Sequence, residues 1–299
     1  MAAFAPARRR KPFHWTRILI YAILILFCIW YLVPVYILVV ASLKSQAEAL
    51  QMATMWNLPK ILGVRSFIIA WNGSTTPPET LGLSQGFMNS LRIAIPATII
   101  STFIGSINGY VLSKWKFRGA DFIFTLMLFG MFIPYQSILI PLVVAYQTFT
   151  SWTGIPMFSQ IHGVIVAHII YGIPICTLIF RNYYSQLPTE MVEAARIDGA
   201  NFFSIYRQIL LPLSQPAFVV VLIWQFTSAW NDFLFGITLA NTPSVYPVTV
   251  SLNNIAGSFH VPYNVQMAAA LITALPPLLV YVLLGRYFIR GLMAGSLKG

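Results

Sequence analysis

Long apolar runs separated by short polar loops dominate this chain of 299 residues. A helix that crosses a bilayer needs roughly 20 predominantly apolar residues. Six stretches qualify, running approximately from Arg17 to Leu43, Gly86 to Leu112, Asp121 to Ala145, Ile161 to Phe180, Leu213 to Gly236 and Val265 to Arg286. The pattern predicts an all-α, polytopic membrane protein with six transmembrane helices. Proline falls inside several runs, at Pro34, Pro96, Pro134, Pro141, Pro174, Pro276 and Pro277. Neighbouring helices, hydroxyl side chains or waters satisfy the backbone groups that proline frees in lipid, so kinks are expected at each.

Two segments break the apolar pattern. Leu43 to Gln85 carries Trp56, Trp71, Pro59 and a turn-rich stretch from Asn72 to Pro78. Tryptophan favours the membrane–water interface, and this segment reads as a surface-lying cap too short to be a domain. The second segment, 188–212, is charged. Pro188, Thr189 and Glu190 signal a helix start, with an acidic residue in the first turn. Ala194 and Ala195 are small enough for something to approach closely. Asp198-Gly199 is a turn signal, with glycine suited to the left-handed position that ends a helix. Asn201 is placed to cap a second short helix, on which Phe202, Ile205 and Ile209 recur at helical spacing with Phe203 and Tyr206 beside them. Pro212 is expected to open the fifth span. The prediction is a helix–turn–helix, which by composition alone could equally be an amphipathic loop resting on the bilayer or on neighbouring loops.

Composition agrees with lipid as the solvent. The chain is 58% hydrophobic and 8% charged, against about 25% charged in soluble domains. A net charge of +11 raises the question of nucleic acid, but the cations cluster in short loops, so positive-inside topology explains them and no nucleic-acid partner is expected. Arg8, Arg9, Arg10, Lys11 and Arg17 precede the first span, Lys114, Lys116 and Arg118 follow the second, Arg181, Arg196 and Arg207 follow the fourth, and Arg286, Arg290 and Lys298 follow the sixth. Opposite them, 149–160 and 237–264 contain no Lys or Arg, and the loop after the first span holds only Lys44, Lys60 and Arg65. The bias places both termini and the 188–212 loop in the cytoplasm. The divisions expected are a basic N-terminus at 1–16, a six-span transmembrane domain at 17–290 and a tail at 291–299. The basic start followed by an apolar run resembles a signal peptide, but the run exceeds the usual 7–15 residues, so an uncleaved anchor is expected. Cys28 and Cys176 both lie in apolar segments, away from any metal or disulfide spacing.

Within 188–212 the residues read Glu193-Ala194-Ala195, three residues, Gly199, nine residues, Ile209, one residue, Leu211-Pro212. That spacing resembles the EAA signature of inner-membrane permease subunits of bacterial ABC importers. Asn89-Ser90 at the second span, Trp230-Asn231-Asp232 at the end of the fifth and the C-terminal Arg290-Gly-Leu-Met-Ala-Gly-Ser-Leu-Lys-Gly299 extend the similarity to the maltose-permease-type second subunit of carbohydrate importers, over nearly the whole chain. The resemblance implies a type I ABC importer permease fold in the bacterial inner membrane, with 188–212 as the coupling loop. Its two short helices would dock in a cleft of a cytoplasmic ATPase and act as a lever. Glu193, Ala194, Ala195, Asp198, Gly199, Ile209, Leu211 and Pro212 would form the coupling set, with Glu193 pairing an ATPase arginine, Gly199 setting the interhelical angle and the tail reaching between the ATPase subunits. The implied partners are a second, non-identical permease subunit, two copies of the ATPase and an extracytoplasmic sugar-binding protein. This chain has no G-x-x-x-x-G-K-[ST] phosphate loop, so ATP and magnesium would be used by the partner ATPase and no cofactor is expected here.

A sugar has apolar ring faces and many hydroxyls, so its path wants aromatic faces with amides or hydroxyls. Tyr135, Gln136, Trp224, Gln225, Trp230 and Asn231 have that chemistry. Asp232 is the one acidic residue inside a span away from the inner interface; a span carboxylate is a functional candidate by default, but capping a helix end or bonding to a neighbouring span is the reading adopted. His168, with Tyr171 nearby, reads as a packing histidine. The function expected is uptake of a mono- or oligosaccharide, a related small glycoside or a polyol. The alternative is a self-sufficient secondary transporter or channel, disfavoured by the scarcity of ionisable groups at membrane depth. A membrane enzyme is disfavoured because no carboxylate pair, Ser/His/Asp set or metal cluster stands at a credible spacing.

Overall fold

A computed structural model of the chain describes residues 15–74, 80–115, 117–258 and 261–296. Most of the basic N-terminus and residues 297–299 of the tail lie outside the described residues. The chain opens with α1 (Trp15–Leu43), 29 residues that continue through Pro34. Nearly the whole of α1 is exposed, with only Val40, Ala41 and Ser42 buried. A long, mostly apolar helix with an open surface is the form expected where lipid is the solvent.

The cap follows as α2 (Gln46–Ala49), a 3-10 turn at Met52–Thr54, α3 (Arg65–Asn72) and a two-residue antiparallel ladder of β1 (Gly73–Ser74) with β2 (Thr80–Leu81). It is tied down by polar bonds. Buried Lys44 donates through Nζ to Thr54 O at 2.8 Å, and Asn264 Nδ2 donates to Lys44 O at 3.0 Å and Ser66 Oγ at 2.9 Å.

Next come α4 (Ser84–Tyr110), a five-residue π turn (Val111–Trp115), α5 (Ala120–Phe132), a 3-10 turn at Tyr135–Ile138, α6 (Leu139–Thr153) and α7 (Ile161–Ser185). The pairing of α4 with α7 is the spine of the molecule. Small residues permit it: Ser101, Gly105, Ser106 and Gly109 are all buried on α4. A Cβ on Gly105 would strike the Cys176 side chain and reach the Cys176 carbonyl carbon at 2.9 Å, and one on Gly109 would stand 2.7 Å from Arg181 N. Helices in lipid gain no hydrophobic drive to associate, so close approach of small residues is what holds them together.

The third expected span is not one helix. α5 and the segment from Tyr135 to Thr153 are bent by 89°. Ile133 takes an extended conformation (φ −67°, ψ 122°) in front of Pro134, as the residue before proline prefers. At 13 and 15 residues, α5 and α6 are about 20 and 22 Å long, so neither alone crosses a core of about 30 Å. Pro96 and Pro174, by contrast, sit inside unbroken helices.

The rest is α8 (Thr189–Ile197), α9 (Phe202–Ile205), a π turn (Tyr206–Leu210), α10 (Leu211–Leu213), α11 (Gln215–Asn231), α12 (Leu234–Leu239), α13 (Val248–Ala256) and α14 (Tyr263–Ser296). The helix expected over 213–236 is observed as α11 over Gln215–Asn231, followed by the separate α12. It begins at Gln215, with Pro216 in its first turn, after a 79° bend from the segment ending at Leu213. Pro212 therefore lies in α10, ahead of the bend. Four described helices are long and apolar enough to cross a membrane, and six spans result when each bent pair is taken as one. Asn89-Ser90 acts as a latch: Asn89 Nδ2 donates to Ser244 O at 2.8 Å and Tyr246 O at 3.1 Å, and Ser90 Oγ accepts Val248 N–H at 2.8 Å, fixing the loop before α13.

Candidate coupling hairpin and transport cavity

The segment from Thr189 to Leu210 is a compact helical hairpin. α8 ends in a Schellman motif: Ala200 N–H donates to Ala195 O at 2.9 Å and Gly199 N–H to Arg196 O at 3.0 Å. Gly199 has φ +80° with open space around its Cα. Asn201 Oδ1 accepts Ser204 N–H at 2.9 Å and caps α9. The π turn adds a residue to the second arm, so its inner face is Ile205, Tyr206 and Leu210, all buried, whereas the helical spacing pointed to Ile205 and Ile209. Ile209 is only half-buried.

The coupling set splits into two faces. Glu193, Ala194, Asp198, Gly199 and Pro212 are exposed, whereas Ala195, Ile209 and Leu211 are half-buried against a core that contains Tyr110, Phe180, Tyr184 and Leu210. Two large apolar side chains that the sequence did not single out for this face stand out from it: Ile197 is 86% exposed and Phe203 71%. Both are bared on an otherwise polar hairpin.

Behind the hairpin, aromatic rings and hydroxyls join it to the spans. Tyr110 at the end of α4 stacks on Phe202 at 4.8 Å and on Tyr206 at 6.1 Å. Arg196 lies 4.4 Å over the Trp115 ring. A chain of hydroxyls then runs inward: Tyr206 OH donates to Ser106 Oγ at 3.0 Å, Ser106 Oγ lies 2.7 Å from Tyr184 OH, Tyr184 OH donates to Ser214 Oγ at 3.2 Å, and Ser214 Oγ donates to Leu211 O at 3.2 Å. With Ser106 donating to Tyr184, every hydroxyl gives one bond and the buried network is satisfied. It ties the hairpin, α4, α7 and the bend before α11 together.

The second site is a cavity of about 260 Å³ between α7, α11, α12 and the break after α5. Tyr135, Tyr171 and Phe235 give it aromatic walls, with Tyr135 and Tyr171 each in ring contact with Phe235 at 5.5 and 5.1 Å. Gln225, Ser228, Asn231, Asp232 and His168 give it polar ones, and no Lys or Arg lines it. Asp232 Oδ2 accepts Gly236 N–H at 3.2 Å and Asp232 O accepts Thr249 Oγ1 at 2.6 Å. The carboxylate thus caps α12 as expected, and it also stands 3.7 Å from His168 Nε2.

Of the six pathway residues expected from sequence, Tyr135, Gln225 and Asn231 line this cavity. Gln225 does so from a buried position, its amide donating to His168 O at 3.1 Å. Gln136 is exposed on the 3-10 turn and Trp224 is 56% exposed on the outside of α11. Trp230 is fully buried elsewhere, its Nε1 donating to Thr273 O at 3.0 Å beside Phe226 and Phe87. His168, Tyr171, Ser228 and Phe235 were not singled out for the pathway. Their signal was legible: Gln225, Ser228 and Asn231 recur every three residues, as do His168 and Tyr171, so each set marks one helix face.

Gly199→Asp tests the hairpin geometry. The left-handed conformation costs a side chain about 1–2 kcal/mol, so the turn shifts rather than the core. The expected result is normal insertion in the membrane with solute uptake by the assembled transporter down about tenfold, measured in vesicles against wild type.

Comparisons with known proteins place the chain in one family. Residues 97–293 match the family described as binding-protein-dependent transport system inner membrane component. A probable ABC transporter permease protein of Pyrococcus horikoshii is 42% identical over 98% of this chain and 100% of its own. The xylose/arabinose import permease protein of Haloferax volcanii is 36% identical over 92% of each chain. A crystal structure of a bacterial ABC transporter involved in the import of the acidic polysaccharide alginate superposes with a TM-score of 0.76, at 19% identity, over 93% of this chain and 100% of that one.

Proposed function

The chain belongs to the family of inner-membrane components of binding-protein-dependent transport systems, and we propose that its cargo is a neutral sugar or polyol, moved by alternating access. It is a multi-pass inner-membrane protein and a transport subunit of the ABC type, with ATP hydrolysis left to another chain. The reading of the cargo is carried by one observation: the cavity combines tyrosine faces, amides and a hydroxyl with a carboxylate and no cation. Tyrosine faces suit apolar sugar rings and amides suit hydroxyls, while Asp232 repels an acidic saccharide. The relative that imports xylose or arabinose supports the same class.

The partners follow as part of this proposal. A second permease subunit would complete the cavity, which is half open. Two ATPase subunits would power the complex, one of them taking this hairpin in a cleft, since this chain carries no phosphate loop. An extracytoplasmic binding protein would deliver the solute at the opposite end of α4. The lysine and arginine bias supports a cytoplasmic hairpin and cytoplasmic termini.

The test is uptake of labelled pentoses, hexoses and disaccharides into vesicles carrying the assembled complex. Neutral-sugar uptake supports the proposal; uptake confined to amino acids or acidic saccharides overturns it. Asn231→Ala removes an exposed cavity amide, worth about 0.5–1.5 kcal/mol as a hydrogen bond. It is expected to lower sugar transport several-fold while basal ATPase activity and complex assembly stay at wild-type level.

A further inference from the structure

A separate cavity of about 430 Å³ opens at the hairpin end of the spans, lined by Ser113, Lys114, Phe117, Ala120, Asp121 and Arg181, with Ser185 and Thr189 at its edge. Its electrostatics are unlike those of the transport cavity. The Lys114 residue is 6% exposed, and its ammonium is held by Leu187 O at 2.6 Å and Thr189 Oγ1 at 3.3 Å. Arg181 is pinned with its guanidinium 4.0 Å over Phe124. Its Nε is buried and has no hydrogen-bond partner among the described residues. Two helices begin at this cavity, α5 at Ala120 and α8 at Thr189, and neither has a side-chain cap, the preceding residues being Gly119 and Pro188. The positive ends of both helix dipoles therefore converge on a space already walled by two cations. Against them stand Asp121, which holds Arg181 Nη2 at 2.9 Å from a side chain 90% exposed, and Glu190 in the first turn of α8.

We propose that this cavity takes a phosphate group. By position the group is the headgroup of an anionic phospholipid in the leaflet facing the hairpin. The exposed apolar side chains of Phe117, Phe122 and Leu126 flank the start of α5, where acyl chains would lie, and basic pockets between helices on the cytoplasmic side suit such headgroups. Phosphate in this space would be shared by Arg181, Lys114 and first-turn amides of α5 beyond Ala120, whose own N–H donates to Phe117 O at 3.1 Å, displacing the solvent-exposed Asp121 carboxylate from Arg181. Because Lys114 also holds the start of α8, the bound headgroup would brace the root of the hairpin. The inference does not depend on which solute is carried.

The experiment is titration of the full-length chain, purified with its partner subunits in phosphatidylcholine nanodiscs, with a fluorescent short-chain phosphatidylglycerol. Inorganic phosphate is run as a second probe. Saturable phosphatidylglycerol binding is expected, weakened about tenfold by Arg181→Gln, which removes a charge-assisted contact. Asp121→Asn removes the competing carboxylate and is expected to tighten binding several-fold, a gain that damage to the fold would not produce. Arg181→Lys is expected to retain most of the affinity. If inorganic phosphate leaves the signal untouched, the source is the lipid; if it competes, the site stands and the source is soluble phosphate. Equal affinities of wild type, Arg181→Gln and Asp121→Asn for both probes would overturn the proposal.

Discussion

Gly105→Leu is expected to abolish accumulation of the folded chain in the membrane. The Cβ alone would collide with the Cys176 side chain and stand 2.9 Å from the Cys176 carbonyl carbon and 3.0 Å from Thr177 N. The latter two are backbone, so no rotamer change relieves the contact, and α4 must move away from α7. Overpacking a core costs about 1–3 kcal/mol and sometimes more; a backbone clash at the centre of the main helix pair belongs at or above the top of that range. Separation would also break the hydroxyl chain from Tyr206 through Ser106 to Tyr184, leaving buried hydroxyls unpaired at a further 1–3 kcal/mol or so each. A thermal melt of the detergent-solubilised chain, with expression quantified alongside, checks this. Gly105→Ala is expected to lower the melting temperature less, and Gly130→Ala, where a Cβ meets open space, not to lower it through a clash.

Phe203→Asp is expected to leave the chain folded and to strip it of its ATPase partner. The ring is 71% exposed, so its loss removes little from the core. Burial of a phenyl ring in a partner's pocket is worth about 1.5–3 kcal/mol, and a carboxylate in its place adds desolvation and leaves the pocket unfilled. Loss of co-purifying ATPase by tenfold or more, with an unchanged melting temperature, is the expected outcome. Ile197, 86% exposed at the end of α8, predicts the same behaviour. An ATPase yield equal to wild type from Phe203→Asp would place the docking face elsewhere.

The hairpin was largely legible because its signals are local. Asn201 caps, Gly199 turns and the α8 boundaries follow from neighbouring residues within one turn of helix. Which of its side chains face outward was less so. The π turn between Ile205 and Leu211 shifts the buried stripe by one residue, and no side-chain pattern announces such a shift. Ile197 and Phe203 read as ordinary apolar residues until the structure leaves them uncovered. The hydroxyl chain was not legible at all, since Ser106, Tyr184, Tyr206 and Ser214 are spread over more than 100 residues of sequence. Among the pathway candidates, residue chemistry alone could not separate Asn231, which lines the cavity, from its neighbour Trp230, which is sealed into the core.

By itself the sequence determined the solvent, the apolar segments and the hairpin, because bilayer length, charge bias and capping are sums over neighbouring residues. The absence of a phosphate loop likewise follows from sequence alone. Only the tertiary structure decided which prolines bend and which break. Pro174 lies inside α7, which α4 packs along and which runs unbroken; at Pro134 α5 and α6 are mostly exposed, and the turn carries Tyr135 against Phe235 and Tyr171. It also decided which polar groups share a cavity, because that depends on the rotation of each helix about its axis, set by close contacts such as Gly105 on Cys176 and Gly172 on Gln225. Composition fixes how much of a helix is apolar; packing against its neighbours fixes where its polar stripe points.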